Sequence, residues 1–139
     1  MEARQFVSFK LAGRLMGLDI RQVREINRAL DITPVQHAQP HVRGLLNLRG
    51  QIVTVFDLGQ RLGLGPQEIT AETHNVVLKD DEVALLVDAV GEAVEVPQDQ
   101  IEGPPANPGG LADGFIQEVV KLHDDLLVIL SVEKILALD

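Results

Sequence analysis

Apolar and polar residues alternate with a period of two along much of the chain, as they do in strands that bury one face. The first such run extends from Phe6 to Leu11, and Leu15 to Ile20 returns after a turn at Ala12-Gly13-Arg14. The next segment, Arg21 to Ile26, is compatible with either a strand or a short helical turn. The start of the chain therefore predicts a hairpin of short strands.

The strongest hairpin signal lies in the middle of the chain. Two apolar runs, Leu45 to Leu48 and Ile52 to Phe56, are separated only by Arg49-Gly50-Gln51. The glycine of this triplet can adopt the positive φ that a tight hairpin turn requires. Immediately after the second run, Asp57 is suited to cap a short helix that Gly63 would end.

The second half of the chain has the same character. Strands are predicted from Asn75 to Leu78, from Val83 to Val87 and from Leu126 to Leu130, and a terminal helix from Val132 to Leu138. The segment from Glu102 to Gly110 is rich in glycine and proline and predicts a loop. Many short strands of Val, Ile and Leu favour a barrel or a sandwich over a sheet of βαβ units.

An internal repeat relates the two halves. Residues 42–64 align without a gap on residues 116–138, a shift of 74, and residues 18–25 align on residues 85–92, a shift of 67. Apolar residues coincide at many of these positions. The repeat predicts two similar small β-barrels, each with one hairpin and one short helix. Two aligned pairs combine a polar with a large apolar residue: Thr54 with Val128, and Arg61 with Ile135.

The composition supports a globular domain with an aliphatic core. Of the 139 residues 45% are hydrophobic, but only four are aromatic, all of them Phe. The absence of cysteine excludes disulfides and thiolate metal sites. No apolar run approaches the ~20 residues of a membrane helix, and no signal peptide is evident, so a cytoplasmic location is expected. The net charge of −9 disfavours nucleic acid as a partner.

Motifs of common enzyme classes are missing from the sequence. It contains neither of the phosphate-binding glycine motifs, G-x-x-x-x-G-K-[ST] and G-x-G-x-x-G, and no G-x-S-x-G nucleophile elbow. The two serines, Ser8 and Ser131, lie in a predicted strand and before the terminal helix, where Ser131 is suited to act as a cap. No catalytic residue and no enzymatic activity are therefore predicted.

The histidines and the paired acidic residues give no better site. His37 and His41 have the i, i+4 spacing of a helical metal pair, but Pro40 lies between them and opposes a helix. Asp80-Asp81 and Asp124-Asp125 fall in predicted turns, where solvated charge is expected rather than acid–base chemistry. No metal site, cofactor or cofactor-binding residue is predicted.

A protein-binding surface is the better candidate. Val23-Arg24-Glu25 mixes apolar and charged residues directly after a strand. At the hairpin turn, Arg49-Gly50-Gln51 corresponds in the repeat to His123-Asp124-Asp125, so the turn itself does not require an arginine. The arginine fork suits a partner carboxylate, and arginine is frequent among interface hot spots. The alternative for Arg49 is a turn residue that only adds solubility.

The middle of the chain contains a long ordered motif, Val42-Arg43-Gly44-Leu45-Leu46-Asn47-Leu48-Arg49-Gly50-Gln51-Ile52, followed by Asp57-Leu58 and Arg61-Leu62-Gly63. By this motif, and over Phe6 to Leu138, the chain resembles the CheW-like coupling proteins of bacterial chemotaxis. The supporting segments are Val23-Arg24-Glu25-Ile26, Leu86-Val87-Asp88-Ala89-Val90 and the closing run from Leu126 to Leu136.

The resemblance implies a single CheW-like domain over residues 1–139. Its fold would be mainly all-β, with two SH3-like five-stranded β-barrel subdomains packed together and short helices that include a C-terminal one. The first subdomain is expected at about residues 15–70. The second is expected at about residues 71–139, together with an N-terminal strand at about residues 5–12.

The resemblance also implies a non-enzymatic adaptor that couples methyl-accepting chemoreceptors to the histidine kinase CheA. Its partners would be the C-terminal regulatory domain of CheA and the cytoplasmic tip of the receptors, with no nucleic acid and no membrane insertion. It would be cytoplasmic and associated with membrane-bound receptor arrays through these partners. By matching motif positions, the partner-binding residues would be Val23, Glu25, Gly44, Arg49 and Val90, with Gly44 serving backbone geometry rather than direct contact.

Two positions depart from the usual pattern of the family. Thr54 stands where proline is usual, and Glu118 where glycine is usual. Thr54 restores a backbone donor within a strand, whereas Glu118 could change a bend or a partner surface. The alternative function is therefore a CheW-like scaffold of a non-flagellar pathway, such as pilus or gliding motility, and a small ligand-binding barrel is a further one. An adaptor of the CheV type, with an attached receiver domain, is not expected because the chain ends at Asp139.

Overall fold

The computed structural model describes residues 2–29, 31–104 and 114–137. Within these ranges the chain forms short strands, two short helices and two 3₁₀ turns, at Ile20–Gln22 and Gln98–Gln100. The helices are α1 (Leu58–Arg61) and α2 (Val132–Leu136). The strands are β1 (Ala3–Leu11), β2 (Arg14–Asp19), β3 (Val23–Arg28), β4 (Val42–Leu48), β5 (Gln51–Asp57), β6 (His74–Leu78), β7 (Val83–Val87), β8 (Ala89–Pro97), β9 (Ile101–Glu102), β10 (Ile116–Lys121) and β11 (Leu126–Leu130).

The described strands form two sheets. The five-stranded sheet has the order β3-β6-β7-β5-β4, and the six-stranded sheet has the order β8-β1-β2-β11-β10-β9. The pairs β5–β7 and β2–β11 run parallel, and the other pairs run antiparallel. The predicted fold class, mainly all-β with two small barrels and short helices, is confirmed. The strand β9, of two residues, adds a sixth member to one sheet.

Each sheet takes strands from both halves of the chain, which differs from the expected subdomain boundaries. Arg14–Asp19 falls within the range expected for the first subdomain, but it pairs with β1 in the six-stranded sheet. Residues 74–87 fall within the range expected for the second, but they lie in the five-stranded sheet. The chain crosses between the sheets at Ile20–Gln22 and at Asp88. Strands that follow one another in sequence are usually neighbours in one sheet. Here the first hairpin of the first half, β1–β2, lies in the six-stranded sheet, and the first hairpin of the second half, β6–β7, lies in the five-stranded sheet.

The internal repeat is confirmed in the pairing of the strands. At the shift of 74 residues, β4, β5 and α1 correspond to β10, β11 and α2, and the two hairpins have a bulge at the same place, after Val42 and after Ile116. The predicted helix caps are also confirmed. Asp57 Oδ1 and Ser131 Oγ each accept a hydrogen bond from the main-chain amide three residues on, at 2.9 and 3.2 Å.

The two sheets share one apolar core. Its members come from both sheets and both helices, and they include Phe9, Leu18, Leu58, Val76, Leu85 and Ile135. Each sheet also has a smaller core of its own: Leu46, Val53 and Leu86 in the five-stranded sheet, and Phe6, Val96 and Leu127 in the six-stranded sheet. Burial of an aliphatic side chain stabilises by about 1.5–3 kcal/mol. The shared core therefore joins the two sheets into one domain.

Candidate functional site

The turn between β4 and β5 presents Arg49 to solvent. Arg49 and Gly50 both have positive φ angles, 52° and 89°, as the central residues of a two-residue hairpin turn do. Asn47 supports the turn, because its Oδ1 accepts a hydrogen bond from the Gly50 amide at 2.9 Å. The Arg49 side chain is 66% exposed. The predicted hairpin is thus confirmed, and its arginine stands on a well-defined turn.

Arg49 forms an ion pair with Glu25, 24 residues away in sequence. Arg49 Nη2 lies 2.6 Å from Glu25 Oε2 and 2.8 Å from Oε1. Beside this pair, Arg24 Nη1 donates to Gln51 Oε1 at 2.8 Å. Glu25 and Arg24 belong to β3, at one edge of the five-stranded sheet, whereas the turn adjoins β4 at the other edge. The sheet therefore curls until its two edges meet, and these side chains lie where it closes.

In this pair Glu25 is charged, and Arg49 keeps hydrogen-bond donors that the pair does not use. The hydrogen bond from Arg49 lowers the pKa of Glu25, and Asn27 Nδ2, at 3.3 Å from Oε1, contributes in the same direction. Glu25 is therefore ionised at neutral pH. Within the described part of the chain, Arg49 uses Nη2 for its side-chain hydrogen bonds and leaves Nη1 and Nε unengaged. A guanidinium with free donors can accept a second carboxylate.

Gly44 is buried on β4 at the bulge, and its surroundings explain the glycine. Thr33 and Leu45 exchange two main-chain hydrogen bonds, of 2.9 and 2.8 Å. This pairing brings the Thr33 carbonyl so close to Gly44 that a Cβ at position 44 would clash with it. The expected role of Gly44 in backbone geometry therefore has a direct structural basis.

Val23 and Val90 are half-buried and pack against the shared core. Val23 begins β3 and pairs with Leu78, whereas Val90 lies on β8 of the other sheet and pairs with Phe9. They are equivalent in the repeat at the shift of 67 residues. Four of the five candidate residues thus lie in the five-stranded sheet, and the structure brings two of them, Glu25 and Arg49, into contact. Val90 lies in the six-stranded sheet.

The two Arg-Gly pairs of the central motif differ in direction. Arg43 points inward, and its Nη1 donates to Asp57 Oδ2 at 3.1 Å and to the Gln67 carbonyl at 2.6 Å. The same Asp57 oxygen accepts the Gln67 amide at 3.0 Å. Arg43 therefore holds the segment after α1, a structural role that the sequence does not reveal. Arg49 is the outward-facing member of the two.

The six-stranded sheet carries a charged cluster that sequence analysis missed. Arg4 Nη1 lies 2.7 Å from Glu118 Oε2, and Arg4 Nη2 lies 3.0 Å from Asp19 Oδ2. Arg21 also binds Asp19, with Nη2 at 2.8 Å from Oδ2. Hydrogen bonds from Arg21 and then Arg4 hold the pKa of Asp19 well below its usual range. The available signal was Glu118 itself, which occupies the repeat position of Gly44.

The remaining sequence candidates have ordinary structural roles. Ser8 is buried and its Oγ donates to the Glu92 carbonyl at 2.6 Å. His41 packs edge-on against Phe56, with ring centroids 4.8 Å apart, while His37 is exposed in a turn. The prediction for Thr54 is confirmed, because its amide donates to the Glu82 carbonyl at 2.9 Å.

Residues 2–29, 31–104 and 114–137 show neither a metal-binding cluster nor a membrane-spanning helix. No group of three or more His, Cys, Asp or Glu side chains in these ranges is arranged to hold a metal ion. No helix in these ranges has the length and apolar character needed to cross a membrane.

Comparison with known proteins gives consistent matches over nearly the whole chain. The CheW-like domain family matches residues 5–139. The chemotaxis protein CheW of Bacillus subtilis (strain 168) is 31% identical over 134 residues, which cover 95% of this chain and 86% of that protein. The chemotaxis protein CheW of Treponema pallidum (strain Nichols) is 29% identical over 139 residues, which cover 94% and 81%. Among solved structures, the scaffolding protein TtCheW from Thermoanaerobacter tengcongensis superposes with a TM-score of 0.89 at 28% identity and covers 100% of this chain and 91% of that one.

Proposed function

The chain belongs to the CheW-like domain family, and from this premise we propose that it is a non-enzymatic adaptor of bacterial chemotaxis signalling. It couples methyl-accepting chemoreceptors to the histidine kinase CheA. One partner is the C-terminal regulatory domain of CheA, and the other is the cytoplasmic tip of the receptors. The protein acts in the cytoplasm and associates with membrane-bound receptor arrays through these partners.

The ion pair between Arg49 and Glu25 carries the proposal. Arg49 stands on an ordered turn, is 66% exposed and keeps donors that its pair with Glu25 does not use. An exposed, preorganised guanidinium is suited to a carboxylate on a partner surface. Glu25 holds the fork in one direction, so that less side-chain entropy is lost on binding.

The other candidate residues act through the backbone and the core. Gly44 allows the strand that leads to the turn to lie against the Thr33 backbone. Val23 packs into the shared core two residues before Glu25, and Val90 packs into it from the other sheet. In the proposed function these three residues position the binding surfaces rather than contact a partner through polar groups.

The proposal is tested by titrating this protein into the purified CheA regulatory domain from the same source, with calorimetric detection. We expect saturable binding in the micromolar range for the wild-type protein. Arg49→Ala should weaken binding by more than about 1 kcal/mol, or about fivefold, because hot-spot arginines contribute at least this much. Its unfolding curve should stay near that of the wild type, as is usual for exposed substitutions.

Arg28→Ala is the matched control for this titration. Arg28 is an exposed arginine at the end of β3, and it donates to the Ala71 carbonyl at 3.1 Å rather than to a residue of the turn. It should bind like the wild type. Wild-type protein that binds no such domain would overturn the proposed partner, and an unfolded Arg49→Ala would show that the arginine is structural.

The two departures from the family pattern do not favour the alternative pathway. Thr54 gains a main-chain hydrogen bond to Glu82, and Glu118 is neutralised by Arg4 within the sheet. Both residues are therefore accommodated by the fold itself. A role in chemotaxis is the function that the candidate surface supports best.

A further inference from the structure

Arg61 links the two helices of the repeat. It lies at the end of α1, and its Nε donates to the Ile135 carbonyl at 2.8 Å. Its Nη2 donates to the carbonyls of Lys134 and Ala137, at 2.9 and 2.6 Å. The last carbonyls of a helix have no partner within the helix. The guanidinium of one half of the repeat therefore completes the end of the helix in the other half.

The same guanidinium also packs on an aromatic ring. Its Cζ lies 5.1 Å from the ring centroid of Phe115, which is buried in the shared core. Phe115 is itself tied to the start of α2, because its carbonyl accepts the Ser131 amide at 2.8 Å. Arg61 thus binds the end of α2 directly and packs on the residue that is bonded to its start.

The repeat shows that this arrangement occurs on one side only. The residue equivalent to Arg61 in α2 is Ile135, which is fully buried in the shared core. One helix therefore anchors to the core by an aliphatic side chain, and the other reaches across with hydrogen bonds. The aligned pair of a polar with a large apolar residue at these positions was the sequence signal of this asymmetry.

Asp88 also joins the sheets where the chain crosses between them, because its carboxylate accepts hydrogen bonds from the Ala12 amide at 2.8 Å and from Gln67 Nε2 at 3.0 Å. Away from this crossing, the sheets meet through the shared apolar core. Burial of aliphatic side chains is non-directional, and the chain crosses between the sheets through short connections at Ile20–Gln22 and Asp88. Such short segments can absorb the backbone changes of a hinge. Three hydrogen bonds from one planar guanidinium are directional and define a geometry.

We propose that Arg61 is a positioning residue that fixes the relative orientation of the two sheets, and that coupling depends on this orientation. The second clause rests on the proposed function, because an adaptor transmits a signal only if its two partners are held in a defined geometry. The candidate residues lie in both sheets, Glu25 and Arg49 in one and Val90 in the other. A change in the angle between the sheets would therefore change the relation between the surfaces.

The orientation can be measured by pulsed electron paramagnetic resonance between two spin labels. The chain has no cysteine, so Lys79→Cys and Ala93→Cys provide the only two labelling sites. Lys79 is exposed beside β6 of the five-stranded sheet, and Ala93 is exposed on β8 of the six-stranded sheet. We expect one narrow distance distribution when Arg61 is present and a broadened or shifted one in Arg61→Met. An unchanged distribution in Arg61→Met would overturn the inference.

Two further variants separate the hydrogen bonds from other effects. Lys134 is the second cation near Phe115, with its Nζ 5.8 Å from the ring centroid. Lys134→Met removes this cation but leaves the carbonyls that Arg61 binds. Its distance distribution should therefore match that of the wild type. Arg61→Lys keeps the charge and loses the fork, so it should lie between the wild type and Arg61→Met. Circular dichroism at the measuring temperature identifies any variant that has unfolded.

The functional consequence is tested with CheA and receptor tips. Each binary affinity of Arg61→Met should stay within about twofold of the wild type, because the whole of β5 separates Arg61 from the Arg49 turn. Receptor control of kinase activity should be lost. A changed distance distribution with normal coupling would refute the functional clause alone. Wild-type protein that couples nothing would refute the proposed function and leave the distance result intact.

Discussion

The two hairpins of the repeat share a bulge at the same place and differ in the residue that follows it. After the bulge, β4 has Gly44, whose missing side chain leaves room for the Thr33 carbonyl. At the same place β10 has Glu118, whose carboxylate binds Arg4. Both strands are paired on this side, β4 by Thr33 and β10 by Glu102 of β9. The same local fold is therefore closed by backbone contact in one sheet and by an ion pair in the other.

The charged side chains of the two sheets also differ in their exposure to solvent. In the six-stranded sheet, Arg4 and Glu118 are only 18% and 20% exposed, and they share the cluster with Asp19. In the five-stranded sheet, the Arg49 side chain is 66% exposed and keeps free donors. The first arrangement is suited to hold strands together, whereas the second is suited to meet a partner.

The largest effect is expected from a side chain at Gly44. Gly44→Ala places a Cβ against the Thr33 main chain, which cannot move as a flexible side chain would. We expect a loss of about 2–3 kcal/mol in the free energy of unfolding, the upper range for overpacking. Urea denaturation measures this. Gly50→Ala is the control, because Gly50 has open space around it and only its positive φ opposes a side chain.

A change to alanine at the equivalent position, Glu118, should act only through the ion pair with Arg4. Glu118→Ala introduces no clash, since position 118 already carries a Cβ, and it loses only the bond to Arg4. If Gly44→Ala were as mild as Gly50→Ala, the close approach of Thr33 would not be the reason for the glycine.

An intermediate effect is expected from the pair of Arg4 and Glu118. Glu118→Gln leaves a half-buried guanidinium with one charged partner fewer, and hydrogen bonds to charged groups contribute about 1.5–3 kcal/mol. A double-mutant cycle with Arg4→Gln should give a coupling free energy of about 1–2 kcal/mol. A coupling close to zero would mean that the cluster depends on Asp19 alone.

The local elements of the fold could be predicted because their signals are local. The turn at Arg49-Gly50, the caps Asp57 and Ser131 and the equivalence of the hairpins all follow from residues that are near one another in sequence. The assignment of strands to sheets could not be predicted in this way. Apolar and polar residues alternate with a period of two in a strand of either sheet. The sequence of Arg14–Asp19 therefore does not specify that this strand pairs with β11.

The candidate residues could be named from the sequence, but the contacts between them could not. The motif identifies Glu25 and Arg49, yet they meet only because the five-stranded sheet closes on itself. Arg43 and Arg49 are both followed by glycine, and only the fold distinguishes the inward from the outward arginine. Arg61 was visible as a polar residue opposite Ile135 in the repeat, although its three carbonyl partners were not.

Acid should weaken the six-stranded sheet through Asp19. Arg21 and Arg4 lower the pKa of Asp19 in the folded state, whereas the unfolded chain has a pKa of about 3.9. Below about pH 4 the unfolded state therefore binds the proton first, and stability falls as the pH decreases, by at most about 1.4 kcal/mol per pH unit from this group. Above about pH 5 Asp19 adds no pH dependence.

Urea unfolding between pH 2 and 6 measures this slope in the wild type and in Asp19→Asn. The variant is expected to be less stable at neutral pH and to have a shallower acid slope, because the titrating group is absent. Equal slopes would mean that other carboxyl groups dominate the acid response and that the cluster does not differ from the exposed pair in this respect.

The smallest effect on stability is expected from Glu25 and Arg49. Because Arg49 is largely exposed, the coupling in a Glu25→Gln/Arg49→Ala cycle should be smaller than that of Arg4 with Glu118, and it should vanish at about 1 M salt, where charges are screened within a few ångströms. A coupling that persisted in salt would make the pair a structural clamp of the barrel. A weak one means that Glu25 can be displaced from the fork at little cost, so that a partner carboxylate can bind Arg49 in its place.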